Sequence, residues 1–406
     1  MTPRADYDIA ILGGGLAGLS LAVRLADPQL AHLRVLLVEA RTDYRRDRTW
    51  SYWALRPHPF KDAVAVCWSR WAVQSDEACV VRSAPGLHYE TIPADALYGI
   101  ALDRIRRAPN INLRLGTHVA ADVAEDEDGV TVALDGCTLR VGLAFDTRPP
   151  PDIGRHGLVQ RFLGQEVETN KPVFDPGTAT LMDFRCGQHG AAHFTYVLPY
   201  TPCRALVEDT WFSPRGFQVP DGRAAIRAYM ERRHGIPDFA VRFEEQGALP
   251  MDPRFQPRPG VRLLPLGTAG GASRPSTGYA FLSVQAECDR IAADLASGRL
   301  PTAPRRRSGL VRMMDHVLLD LLETRPEQAP SVFAALFARC SPRRLLRFLN
   351  DAARPPDFLA VMASMPIAPA ALTAVRLGAV EMGKRLPSAL TRHVLRRPGV
   401  TTAAKP

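Results

Sequence analysis

Lysine is almost missing from this chain. Lys61, Lys171, Lys384 and Lys405 are the only four in 406 residues, and arginine supplies the rest of the basic charge behind a formal net of +9. This bias reads as genome composition, so where the charge lies says more than how it is made. From residue 301 onward there are 17 basic and 7 acidic side chains, against 34 and 35 in residues 1 to 300. A basic surface spread over the whole molecule is excluded. With no recognisable binding motif either, nucleic acid is not expected as a partner. The seven cysteines (67, 79, 137, 186, 203, 288 and 340) form no pair at zinc or thioredoxin spacing, and their odd number argues against a disulfide framework. A reducing cytosol fits, and no metal site is expected. Met1 to Tyr7 run into an apolar strand and glycines, with no secretory core or cleavage site, which predicts no signal peptide. The longest charge-free apolar stretch near the end, Leu359 to Val375, is broken by Pro366 and Pro369 and makes a poor spanning helix. There is no internal repeat. What is abundant is core material: 46% apolar residues rule out extensive disorder and a fibrous fold, and the length predicts two domains or one large domain with a cap.

The opening reads as a βαβ unit, with a strand over 7–12, a glycine turn, a helix from about 16 to 25 and a second strand over 34–40. The first strand is apolar nearly throughout, as a parallel strand covered on both faces should be. Helical spacing over 94–107 is followed by short strands near 111–115, 118–124, 130–135 and 139–146, which suits a nucleotide-binding sheet with an added meander. Strand-like runs at 192–198, 205–210 and 241–245, separated by Pro and Gly turns, predict an antiparallel substrate domain over 151–255. Val261 to Gly271 and a helix over about 281–296 signal a return to the first domain. The expected division is therefore 1–150 with 256–300 as a discontinuous nucleotide-binding domain, 151–255 as a β-sheet substrate domain, and 301–406 as a basic helical region. In that last region Leu310, Met314, Val317, Leu318, Leu321 and Leu322 share one helical face.

Gly13, Gly15 and Gly18 form G-x-G-x-x-G directly after a strand, and Glu39 ends the next strand. The first glycine permits the turn, the second lets the backbone approach a pyrophosphate, and the third lets the helix pack closely. Glu39 would accept hydrogen bonds from an adenosine ribose and repel a ribose phosphate, which disfavours NADP at this site. Gly267-Thr268-Ala269-Gly270-Gly271, after the buried run Leu264-Pro265-Leu266, is the kind of late glycine segment that closes a flavin site, and FAD is favoured. Many flavin hydroxylases carry Asp where Thr268 stands.

Further along, Phe174-Asp175-Pro176, Leu181-Met182-Asp183-Phe184-Arg185, Tyr196-Val197-Leu198-Pro199-Tyr200 with Val207-Glu208-Asp209-Thr210, Gly247-Ala248-Leu249-Pro250-Met251, and the late glycines followed by Pro275-Ser276-Thr277-Gly278-Tyr279 resemble, in type and order, the motif set of bacterial lycopene β-cyclases. The resemblance runs from the fingerprint to about residue 374. It implies a hydroxylase-type Rossmann FAD domain with a β-sheet substrate domain, and a reaction whose substrate and product share one formula. A proton adds to the terminal double bond of lycopene, a tertiary cation forms, the neighbouring double bond attacks it, and proton loss leaves the β-ring. Such chemistry needs an acid able to protonate an alkene, negative charge near the cation, and a pocket that excludes water. Reduced, anionic FAD would supply the charge, and NADPH would be consumed only to reduce it.

Glu208 is the first candidate for acid or base, since it matches the family's acidic pair and lies in the apolar run Ala205-Leu206-Val207, where a carboxyl would have a raised pKa. Successive strand residues face opposite sides, so Glu208 and Asp209 cannot both point into one pocket. Asp209 and Glu245 are weaker candidates, Glu244 weaker still, and Asp183 is as readily a partner of Arg185. Trp50, Trp53, Trp68 and Trp71 fall within 22 residues; they either line a carotenoid tunnel or pack a core. Arg48-Thr49-Trp50-Ser51 resembles the family's element near the flavin, with Arg48 where the family has His. Trp50, Tyr196, Pro199, Thr277, Gly278 and Tyr279 are the expected substrate contacts.

A hydrocarbon polyene must be collected from a bilayer, and the arginines after residue 301 (among them Arg305, Arg306, Arg307, Arg343, Arg344, Arg347, Arg392, Arg396 and Arg397) suit an anionic membrane surface, or else form a solvated helical face. Deleting 301–406 is then expected to abolish liposome binding, and the protein is expected to be cytoplasmic and peripherally membrane-associated. The competing reading is a redox flavoprotein of the same fold, a monooxygenase or an isoprenoid-chain reductase.

Overall fold

The computed structural model describes residues 5–120, 123–149, 157–252, 254–255, 257–304 and 307–366. Strand Tyr7–Leu12 is the centre of a seven-stranded sheet, parallel to Val35–Val38 on one side and to Cys137–Asp146 on the other. Ile111–Arg114 extends it beyond Val35–Val38, while Val130–Leu134 and Ala124–Glu125 run antiparallel past Cys137–Asp146, and Leu263–Pro265 pairs with the end of Cys137–Asp146. Both faces of the central strands are covered. Ile9, Ile11, Val35 and Leu37 pack under helices Leu16–Leu25, Ala94–Arg107 and Phe281–Ala296, and Ala10, Leu12, Leu36 and Val38 pack under the meander. The strand expected over 118–124 is reduced to an isolated bridge at Val119 and the two residues Ala124–Glu125, with 121–122 outside the described residues.

The second sheet also has seven strands, in the order Ala240–Met251, Leu158–Glu168, Arg204–Pro214, Ala192–Thr201, Thr178–Asp183, Arg70–Gln74 and Cys79–Ser83. Its last two strands come from the stretch assigned by sequence to the nucleotide-binding domain. Trp71, Ala72 and Val73 are buried on both faces, and Arg70–Gln74 finds its ladder partner in Thr178–Asp183, to which it runs parallel. The 70–83 hairpin thus extends the sheet beyond 151–255. One face packs on a helix the sequence did not reveal, Gly222–His234, through Val197, Val207, Ile226 and Met230. The other face meets a small third sheet, Thr49–Trp53, Tyr89–Pro93 and Val66–Trp68, and the C-terminal helices.

Those helices, Gly309–Thr324, Ala329–Arg339, Pro342–Leu349 and Pro355–Ser364, turn Leu319, Leu321, Leu322, Phe333 and Leu346 into the core of the second sheet. The face predicted for the first of them is rotated: Val311 and Asp315 are buried and Leu310 is exposed. The cause is Arg274, itself buried, whose Nη2 lies 2.9 Å from an Asp315 carboxylate that also accepts from Ser276 at 2.6 Å. Much of the basic charge here is already paired, Arg307 with Asp351 at 2.7 Å and Arg347 with Asp357 at 2.6 Å. Deleting everything from residue 301 would strip half of an apolar core, so that deletion is a poor test of membrane binding. Arg305, Arg306, Arg392, Arg396 and Arg397 lie outside the described residues. All seven cysteines are free. Among the described residues, no cluster of His, Cys, Asp or Glu is fit to hold a metal ion, and no helix is long and apolar enough to cross a membrane.

Candidate active site

The glycine turn after Tyr7–Leu12 has the shape a dinucleotide requires. Gly13 has φ +104°, and a β-carbon on Gly18 would lie 1.9 Å from the Gly13 carbonyl oxygen, so neither position admits a side chain. Gly15 precedes helix Leu16–Leu25 with no side-chain cap, and a β-carbon there would meet nothing, which leaves the first-turn N–H groups facing open space. Glu39 accepts from the Gly14 N–H at 2.6 Å and from Arg41, whose guanidinium holds the carboxyl below its ordinary range against the penalty of burial. The late glycines reach the same helix: Gly267 has φ +69°, and a β-carbon on it would touch that of Ala17 at 2.6 Å. Thr268, Ala269, Gly270 and Gly271 form the turn that follows, closed by the Gly271 N–H to the Thr268 carbonyl at 3.0 Å. These residues fit the pyrophosphate and ribose of FAD. Arg48 does not join them; it is exposed and pairs with Asp47 at 2.9 Å.

On the second sheet the pleat sorts the acids. Glu208 stands opposite Tyr196 on one neighbouring strand and Gly164 on the other, and Gly164 stands opposite Glu245. Directly paired residues share a face, so Tyr196, Glu208 and Glu245 form one row with a gap at the glycine. Both carboxyls are buried, with 9% of Glu208 and 5% of Glu245 exposed. Loss of water pushes Glu208 up to about 7, partly offset by the Thr210 hydroxyl, which donates to Oε1 at 2.6 Å; the Asp209 charge behind the sheet adds to the rise. Burial and the Glu208 charge push Glu245 up to about 8, against smaller opposing effects of Thr49, Arg46 and Arg48.

The small third sheet closes over this row. Its strand Thr49–Trp53 alternates, with Thr49 at Glu245 and Ser51 at Tyr196, while Tyr52 stacks on Phe281 at 4.2 Å in the nucleotide core. Trp50 belongs with Tyr52, edge-on to Tyr98 at 5.8 Å, and so turns away from the acids. Tyr89, buried, accepts from the Tyr196 hydroxyl at 2.9 Å and lies 3.5 Å from that of Tyr279. Gly278, at φ +70°, holds the turn before Tyr279 against Gln160 and Leu249 of the same sheet face, and Thr277 caps that turn by accepting from the Tyr279 N–H at 3.2 Å. Pro199 stands opposite Ala205 on the reverse face, its carbonyl accepting from the Trp68 indole at 2.9 Å, so it does not border the acids.

Asp209 also faces the other way. It accepts from the Trp211 indole at 2.8 Å and bonds His193 Nε2 at 2.5 Å, and the His193 ring stacks on Trp211 at 3.7 Å. Glu244 is on that side as well, held by Arg223 and Gln165, and Asp183 is fixed by Arg185 and by the Tyr229 hydroxyl at 2.9 Å. None of the three reaches the row.

A fingerprint cradle, a sheet face with buried acids and aromatic cover thus occur in one chain, and residues 8–375 match the family described as "Lycopene cyclase protein". The chain belongs to that family. Among its relatives are the lycopene β-cyclases of Paracoccus sp. (strain N81106 / MBIC 01143), 30% identical over 68% of this chain and 70% of the relative, and of Pantoea ananas, 28% identical over 71% and 74%. Its fold is shared with solved flavin enzymes, including the brominase Bmp2 (13% identity, TM-score 0.58, 93% of this chain and 99% of that one). A geranylgeranyl bacteriochlorophyll reductase-like protein from Thermoplasma acidophilum has 14% identity and a TM-score of 0.56, over 88% and 96%. The chain thus has the hydroxylase-type architecture expected from its sequence.

Thr49 and Ser51 belong to the element expected near the flavin, and the structure sets them against Glu245 and Tyr196, whereas Tyr89 and Gly164 were not singled out by the sequence. Thr49 and Ser51 share one face of Thr49–Trp53 because successive strand residues alternate. Gly164 and Tyr89 are recognisable only from strand register.

Proposed function

We propose that this chain is a lycopene β-cyclase that closes the linear ends of lycopene to β-rings, giving γ-carotene and then β-carotene, by proton addition and loss without net redox change. The observation that carries the reading is Glu208, a buried carboxyl on an apolar and aromatic sheet face with its pKa raised to about 7. A carboxyl of that kind keeps its proton near neutral pH and can deliver it to an alkene. Glu208 protonates the terminal double bond, the tertiary cation is captured by the neighbouring double bond, and loss of a ring proton completes the product. Tyr196, Tyr279 and Trp53 present ring faces to the cation and exclude the water that would quench it. Gly13, Gly15, Gly18, Glu39 and the 267–271 turn would hold FAD, which in its reduced form supplies negative charge close to the cation, with NADPH as the reductant.

In this reading the nucleotide-binding part is 1–150 with 256–300, less the 70–83 hairpin, and the substrate sheet is 151–255 with that hairpin. The protein is cytoplasmic and takes its substrate from a membrane surface. Supporting this are Leu310, Met313, Leu359 and Met362, which stand exposed on the outer sides of the C-terminal helices, Leu359 at 66%. Liposome flotation with Leu359→Glu and Met313→Glu, and with residues 367–406 removed, tests it; equal flotation of all variants with the parent would end the membrane proposal.

Expression in a lycopene-accumulating bacterial host tests the reaction. Red cells should turn orange-yellow, with cyclic product on chromatography. Unchanged lycopene beside soluble, flavin-loaded protein would remove the reading and favour a redox flavoprotein of this fold.

A further inference from the structure

We infer that Glu208 and Glu245 hold one proton between them across Gly164, so that one carboxyl of the pair starts ring closure as the acid and the other ends it as the base. The inference rests on the cyclase reading and gives that site a second working group. Its foundation is the row across three strands. A β-carbon on Gly164 would lie 3.3 Å from Cγ of Glu245 and 3.6 Å from Cγ of Glu208, so the glycine is the space the two side chains lean into. Any larger residue would stand between them. Glu245 Oε2 is buried and has no hydrogen-bond partner among the described residues, an arrangement that is costly for a carboxylate and readily met by a shared proton.

The neighbours do not neutralise the pair. From the segment leading into Thr49–Trp53, Arg46 pairs with Glu166 at 2.8 Å and lies over the Phe243 ring, and Arg48 pairs with Asp47, so among the described residues neither forms an ion pair with Glu208 or Glu245. Glu166 is further occupied by Arg204 of the adjacent strand. Tyr196, with Tyr89 and Tyr279 beyond it, closes one end of the row through neutral phenols, and Tyr200 stands near the other with its hydroxyl unpartnered. Asp209 adds negative charge from behind the sheet but is satisfied by His193 and Trp211. Two buried carboxyls without a dedicated cation cannot both ionise near neutral pH.

The proton count closes. The protonated member breaks its O–H bond as a C–H bond forms on the terminal alkene carbon, leaving both carboxylates ionised beside the cation they stabilise. The neighbouring π-bond then forms the ring C–C bond. The pair takes back one proton as the ring C–H bond breaks and its electrons form the new double bond. It ends as it began, so no outside acid or base enters the cycle.

The test is cyclisation of liposome-borne lycopene by flavin-loaded protein against pH. The wild type should give a bell, because activity needs one proton on the pair and no more. Glu245→Gln should lose the acid limb and keep the alkaline one, with the maximum lowered about 100-fold or more, while Glu245→Asp restores both limbs. A bell unchanged in Glu245→Gln would overturn the inference. As a readout that survives loss of activity, the buried carboxylic-acid C=O signal is titrated by infrared difference spectroscopy. Removing either carboxyl with Gln should lower the midpoint of the one that remains, and midpoints unmoved in both variants would also overturn it. Failure of the cyclase reading itself is distinct, since it appears as absence of cyclic product from wild type whatever the infrared titration shows.

Discussion

Two pairs of buried acids, Asp209 with Asp183 and Glu208 with Glu245, lie on opposite faces of one sheet and are built for opposite ends. On the reverse face Asp209 has a histidine and an indole within 2.8 Å, and Asp183 has an arginine and a tyrosine. On the facing side Glu208 has one hydroxyl, and Glu245 is left with an oxygen that bonds nothing among the described residues. Neighbouring residues 208 and 209, alike in chemistry, thus differ because the pleat gives one a saturated polar cluster and the other an aromatic wall. A fully partnered acid stabilises a fold, whereas an under-partnered one keeps a high proton affinity and can do chemistry with it.

The contrast is open to attack in order of effect. Glu208→Gln should lower cyclisation by a factor of about 100 to 10,000, the usual share of general acid–base catalysis, with flavin absorbance intact. Product formation within a few-fold of wild type would move the proton chemistry elsewhere. Asp209→Ala should do the reverse, costing on the order of 3 kcal/mol because His193 and Trp211 lose their acceptor inside the protein, with turnover per folded molecule within a few-fold of wild type. Thermal melts and flavin-normalised rates separate the two effects. Between them lies a pH effect on stability. Glu208 and Glu245 have folded pKa values raised to about 7 and about 8 from an ordinary 4.5, so the folded state binds more protons than the unfolded one, and stability falls as pH rises from about 4.5 through 8. Glu245→Gln should therefore melt higher than wild type at about pH 9 and close to it at about pH 5; a melting difference independent of pH would show that Glu245 is not buried as a strained acid. Smallest of all, Arg48→Ala should change stability by no more than about 1 kcal/mol and leave flavin affinity alone, since its partner is an exposed Asp47.

How much of this was legible beforehand follows from local pattern strength. Helices Leu16–Leu25, Ala94–Arg107 and Phe281–Ala296 each carry an apolar face wide enough to read, and the strand–glycine–helix opening is strong because its parts reinforce one another. Helix Gly222–His234 was missed because it is dominated by charge and buries little beyond Ile226, Tyr229 and Met230, although Asp221 as its cap and Gly235 at φ 66° as its stop were visible as residue types. The five short strands between Thr49 and Pro93 were hidden by their length, since three to five residues give periodicity too little to act on. At the site, Glu208 was accessible through local apolar context. Its pairing with Glu245, 37 residues later, depends on the register of Leu158–Glu168 against both neighbours, which no local pattern encodes.

The buried Arg274–Asp315 pair has a use of its own. Arg274 follows the late glycine turn by three residues, its guanidinium lies over Phe348 at 4.1 Å and bonds that residue's carbonyl, and Arg307 donates to the Gly271 carbonyl at 2.8 Å. The end of the described chain is therefore bolted to the loop that would carry the flavin. Damage to helices far from the cofactor should show itself first as released yellow fluorescence, which makes the bound flavin a built-in gauge of whether the C-terminal helices are seated.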